Sequence, residues 1–123
     1  MPERILTNWP RSSGEFKVVQ MEVDGSPFII FGSEDTFHTV LIKELGEKLN
    51  RDMPTVTDQS GGEIPALEGN WYKVWGAGKA LANKEKRELI FYGRSKTYDI
   101  GISAEHLERI SAMKPAWKMH FRE

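Results

Sequence analysis

What most limits the fold of this chain is the order of its hydrophobic periods, which switch between the twofold repeat of strands and the 3.6-residue repeat of helices. Residues 16–23, Phe-Lys-Val-Val-Gln-Met-Glu-Val, are rich in β-branched and apolar side chains and read as a strand. Asp24-Gly25-Ser26-Pro27 supplies turn chemistry, and residues 28–31 read as a second, buried strand, so the two predict a hairpin. Residues 35–49 predict a helix, with Phe37, Leu41, Ile42, Leu45 and Leu49 on one face. Glu34, Asp35 and Thr36 sit where acids and hydroxyls complement the helix dipole, and Asn50 terminates the helix.

Residues 51–70 contain Pro54, Gly61, Gly62, Pro65 and Gly69 without a regular pattern and read as a long loop, either a surface insertion or a lid. Residues 71–75 read as a strand running into Gly76-Ala77-Gly78-Lys79. Residues 80–88 are ambiguous: they are good helix formers, but the stretch is short and carries the polar turn Asn83-Lys84-Glu85-Lys86. Residues 89–92 read as a buried strand ending at Gly93, and 94–102 as a loop. Ser103 reads as the N-cap of a second helix, with Ile102 and Leu107 placed as a hydrophobic staple. Leu107, Ile110 and Met113 line that helix and Pro115 stops it. Residues 117–121 alternate apolar and polar, the pattern of a strand with one buried and one wet face. Residues 1–15 form an irregular lead-in pinned by Trp9. The order β-β-α-β-(β)-β-α-β implies an α/β or α+β fold: a mixed sheet of about six strands flanked by two helices. At 123 residues, the expectation is a single domain spanning 1–123.

Composition narrows the chemistry. With no cysteine, disulfides, thiolate nucleophiles and Cys-ligated metal sites are closed. Three scattered histidines, His38, His106 and His120, argue against a His-rich metal site. Seventeen Lys+Arg against eighteen Asp+Glu lack the basic excess of a general nucleic-acid binder. The longest apolar runs are far too short to span a bilayer, and the N-terminus lacks an apolar signal region, so no membrane partner and a cytoplasmic location are expected. No feature fixes an oligomeric state, and a monomer is the default expectation.

His38 is the residue with most chemical promise. In the first turn of its helix the dipole opposes protonation and favours the neutral imidazole a general base needs, although a buried, hydrogen-bonded histidine is the commoner outcome. Gly76-Ala77-Gly78-Lys79 combines small residues, whose N–H groups can cradle an anion, with a cation. It is neither a Walker A loop nor a dinucleotide fingerprint, and an ordinary glycine turn is the alternative. Lys17 lies on the same side of its strand as Val19, Met21 and Val23, reaching either solvent or a ligand pocket. His106 and His120 read as surface residues, and the four tryptophans as core and loop anchors.

Together these stretches resemble the phosphohistidine phosphatase (Janus/Ocnus) family. Phe16-Lys17-Val18-Val19 looks like its first strand, Phe37-His38 like its aromatic-His helix start, Gly76-Ala77-Gly78-Lys79 like its Gly-Gly-Gly-Arg phosphate loop, and Ile90-Phe91-Tyr92-Gly93 with Ser95 and Tyr98 like its Tyr-Gly-x-Ser strand end. The resemblance covers roughly residues 16–121 and resolves residues 80–88 as a hairpin. It implies hydrolysis of the N–P bond of a phosphohistidine protein or small phosphoramidate, without metal or other cofactor. His38 would be the catalytic histidine. Lys17, Lys79, the N–H groups of Gly76, Ala77 and Gly78, and Ser95 would hold the phosphoryl group. Lys79 and Ala77 depart from the family's arginine and middle glycine, the 51–70 loop is longer, and the segment after Ser95 is shorter and lacks a histidine that some members carry. A non-catalytic anion-binding or regulatory module using the same pocket is the alternative.

Overall fold

A computed structural model describes residues 9–122; residues 1–8 of the expected lead-in lie outside them. β1 (Gly14–Val23) and β2 (Ser26–Ser33) form the predicted hairpin. Asp24 and Gly25, at φ 50° and 85°, provide the two positive-φ positions that a tight two-residue turn between twisted strands requires. α1 (His38–Leu49) starts later than its periodicity suggests, because Phe37 keeps extended backbone at φ -74° and ψ 149°. Glu34, Asp35 and Thr36 therefore precede the helix, and its first turn carries no acid. Asn50, left-handed at φ 55°, ends it as expected.

The 51–70 segment is not a plain loop. β3 (Thr55–Thr57) and β4 (Glu63–Pro65) pair antiparallel within it. The segment is tied down by side-chain donors: Trp71 Nε1 donates to the Asp52 carbonyl at 2.8 Å, Tyr72 Oη to Ala66 at 2.7 Å, and Tyr98 Oη to Pro65 at 2.7 Å. β5 (Tyr72–Asn83) then runs without a break through Gly76-Ala77-Gly78-Lys79 and turns into β6 (Glu88–Tyr92). Raw helix propensity over residues 80–88 gives way to sheet pairing that buries Ala80 and Ala82. β7 (Arg94–Ser95) and β8 (Ile100–Gly101) make a small hairpin, and α2 (Ala104–Met113) leads to β9 (Lys118–Phe121), parallel to β6.

Among the described residues the architecture is mixed α+β: a five-stranded sheet in the order β2-β1-β5-β6-β9, two smaller two-stranded sheets and two helices. Successive residues Val18 and Val19 are both fully buried, so β1 has cover on both faces. On one face Val19, Met21 and Phe28 pack with Leu41, Ile42 and Leu45 of α1. On the other, Val18, Ile29, Phe31 and Phe91 pack with Leu107 and Ile110 of α2. β9 departs from its pattern at the end, where Phe121 stays 42% exposed at the sheet edge. No helix among the described residues is long and apolar enough to cross a membrane.

α2 is held to the sheet by a buried polar latch. The Gln20 amide on β1 donates to the Ser103 carbonyl at 2.9 Å and accepts from the Ser103 N–H at 2.7 Å. A Cβ on Gly76 would lie 2.4 Å from Gln20 Oε1 and 2.6 Å from the Gly101 carbonyl, so only glycine leaves room for the latch. Gly76→Ala is accordingly expected to cost about 1–3 kcal/mol through overpacking, read as a lower urea midpoint; an unchanged midpoint counts against the latch.

His106 belongs to the same network, which corrects its expected surface position. It is 1% exposed, with Nε2 donating to the Met21 carbonyl at 2.7 Å and Nδ1 facing the Gln20 amide at 3.4 Å. The histidine sits in the first turn of α2, and that turn faces the sheet rather than solvent. Burial holds its pKa below the ordinary histidine value, against the opposing pull of the Met21 carbonyl. The unfolded ring thus binds protons more readily than the folded one. Stability is full above about pH 6.5 and falls as pH drops from there to the folded pKa. Urea midpoints should fall between pH 8 and pH 5, and His106→Gln should flatten that slope; an identical slope in the variant removes His106 as the cause.

Candidate functional site

The β1–β5 ladder sets Lys17 directly opposite Lys79. Both share a sheet face with Val19, the face on which α1 packs, so the lysines stand beside the start of that helix. Phe37, left outside the helix by its extended backbone, is 68% exposed, and Lys17 Nζ lies 5.5 Å from its ring centre. Phe37 is thus not a core residue of α1, as its periodicity suggested. Among the described residues, no ion pair involves Lys17 or Lys79.

His38 follows as the first residue of α1 and is 7% exposed. Its Nε2 lies 2.9 Å from the Gly78 carbonyl. A carbonyl only accepts, so Nε2 carries the proton and Nδ1 keeps the lone pair. Burial is the main cause that lowers the His38 pKa; the Gly78 hydrogen bond opposes it, and the charges of Lys17 and Lys79 lower it further. The ring is therefore a neutral, singly oriented imidazole within the field of two cations.

The other predicted site residues stand differently. Gly76, Ala77 and Gly78 are not a loop: they pair with Gln20, Val19 and Val18 inside β5. Successive N–H groups of a strand point in opposite directions within the sheet, so these three do not converge on one anion. Both glycines clear the α2 side of the sheet. A Cβ on Gly78 would meet the Tyr92 carbonyl at 2.6 Å and Ile102 at 2.8 Å. What the segment contributes to the site is the Gly78 carbonyl. Ser95 is 2% exposed, and its Oγ accepts from the Tyr98 N–H at 3.3 Å, which seals the hydroxyl within the β7–β8 turn.

Acids flank the lysines. Glu15 lies two residues before Lys17, and Glu34 follows β2. A hydrogen bond donated to the Glu15 carboxylate, and the charge of that carboxylate, raise the Glu34 pKa, while Lys79 pulls it down. The groove between β2 and α1 is lined by other residues. Among the described residues, no group of three His, Asp or Glu side chains is placed to hold a metal ion. The chain matches no protein-family model and no curated protein.

Chemically, the site can hold a dianion against two cations and offer it a neutral base. The field is testable by itself. The His38 imidazole should titrate below the ordinary histidine value by NMR, and Lys17→Met should raise that pKa, since one opposing charge is gone. A titration unmoved by Lys17→Met and by Lys79→Met would separate the lysines from the imidazole.

Proposed function

We propose that this protein is a phosphohistidine phosphatase-like hydrolase that cleaves the N–P bond of phosphohistidine or a small phosphoramidate without a metal. The observation that carries the proposal is the His38 ring, fixed through Nε2 on the Gly78 carbonyl with Nδ1 unprotonated, beside the opposed pair Lys17 and Lys79. The likeness of residues 16–121 to that family supports the same reading.

In this mechanism Lys17 and Lys79 hold the phosphoryl oxygens and stabilise the charge that builds in the transition state. Nδ1 of His38 takes a proton from water as its oxygen attacks phosphorus. The N–P bond breaks, and the proton on His38 passes to the leaving imidazole nitrogen. Phosphate and a neutral histidine side chain result, with His38 returned to its starting form. A base of this kind supplies about 10²–10⁴-fold in rate. The Gly78 carbonyl orients the base, and the strand N–H groups take no part in holding phosphate.

His38→Ala is expected to abolish phosphate release from phosphoramidate and from a phosphohistidine peptide while the protein stays folded by circular dichroism. The base works when neutral, so wild-type kcat/KM should fall only below the ordinary histidine pKa, following the lowered His38 value. Full activity in folded His38→Ala sinks the proposal. The absence of a converging N–H cradle favours one second reading, a module that binds phosphate without turnover. Calorimetry with inorganic phosphate beside the activity assay separates the two: binding with no hydrolysis by wild type selects the module.

A further inference from the structure

Only part of the α1-facing side of the sheet lies beneath that helix. Next to the covered half, the register lays out a strip that starts at the site. Lys17 pairs with Lys79, and Lys79 with Tyr92. Past Tyr92 the row continues to Arg122, whose N–H donates to the Phe91 carbonyl at 2.8 Å and whose guanidinium stacks on the Tyr92 ring at 4.8 Å. Every charge in this row is positive. The next row on the same face is apolar on its two inner strands, where Leu81 pairs with Ile90 between Glu15 on β1 and His120 on β9, and Leu81 is 43% exposed although it sits on an interior strand.

We infer that this strip docks the polypeptide around the phosphorylated residue, and that it selects an extended segment with apolar residues and an acid on the side lying toward Arg122. The inference rests on the phosphatase reading, because the strip takes its starting point from the phosphate-holding lysines. Charge complementarity and continuity with the site define the occupant. From β1 to β9 the strip crosses three strand spacings, about 14 Å at ~4.8 Å each, the reach of roughly four extended residues. An acidic residue about four positions from the phosphohistidine meets Arg122, and the residues between cross Tyr92 and the Leu81–Ile90 row. The acids of this face lie off the cationic row. Glu15 and Glu34 stand at the β1–β2 end, and Glu88 faces His120 at 3.2 Å. Their placement disfavours an acidic segment running the opposite way.

The test uses the full chain and two peptides carrying a stable phosphonate analogue of phosphohistidine, one with Glu and one with Lys four positions away on each side. Calorimetry on wild type should give tighter binding to the Glu peptide. Arg122→Glu should weaken that binding about tenfold and reverse the preference, and Leu81→Glu should weaken both peptides. Phosphoramidate turnover should be unchanged in both variants, since neither residue touches the phosphoryl group. Equal binding of the two peptides by wild type, or identical affinities in wild type and Arg122→Glu, overturns the strip. So does a wild-type dimer that Leu81→Glu converts to monomer by sedimentation, which would make the strip a contact between copies. A phosphatase reading that fails alone shows differently: wild type leaves phosphoramidate intact, yet the peptide preference and its reversal remain.

Discussion

The antiparallel ladder between β1 and β5 is the constraint on which the rest of the molecule depends. It places two lysines directly opposite each other, an arrangement that destabilises a sheet when nothing compensates. Compensation is local. Lys17 extends over the Phe37 ring, and Lys79 lies in the field of Glu34. The same ladder aligns Gln20 with Gly76 on the other face and so creates the gap that the Ser103 latch fills. One register therefore sets both the cationic pair and the anchorage of α2. A slip of one residue would turn Lys17 into the α2 core and carry Val18 across to the α1 face.

The two faces divide the work. On the α2 face, glycines, the Gln20 amide and the His106 ring are engaged in packing and in satisfying buried polar atoms. On the α1 face the start of the helix brings an imidazole over the Gly78 carbonyl, and the extended backbone of Phe37 opens the space beside it. Two histidines with the same cause of lowered basicity thus have different surroundings. His106 has both ring nitrogens facing protein partners, whereas Nδ1 of His38 is left with its lone pair beside two cations.

Much of the fold was legible because its elements carry local signals. The 24–25 turn, the apolar face of α1, the Ser103 cap and the existence of β9 each follow from a few neighbouring residues. The misreadings share one cause. Gly76-Ala77-Gly78-Lys79 has the composition of a loop, but its glycines answer to residues 101–103, far away in sequence. His106 looks like an exposed residue at a helix start until the sheet carbonyl it meets, Met21, is known. The 51–70 segment shows no periodicity because its two strands are only three residues each and much of its anchorage comes from Trp71, Tyr72 and Tyr98 outside it. Arg122 carries no local signal at all; only its stacking on Tyr92 gives it a place.

The sequence by itself determined the order of the main-sheet strands and the two helices, the closing of thiol chemistry by the lack of cysteine, and the choice of His38, Lys17 and Lys79 as the residues worth locating. These rest on periodicity, composition and side-chain chemistry, which a linear chain displays. Only the tertiary structure decided that Lys17 faces Lys79, which nitrogen of His38 is free, and that the glycines serve α2 rather than an anion. Those are questions of register and of which atom meets which across the sheet, and they have no answer until strands distant in sequence are paired.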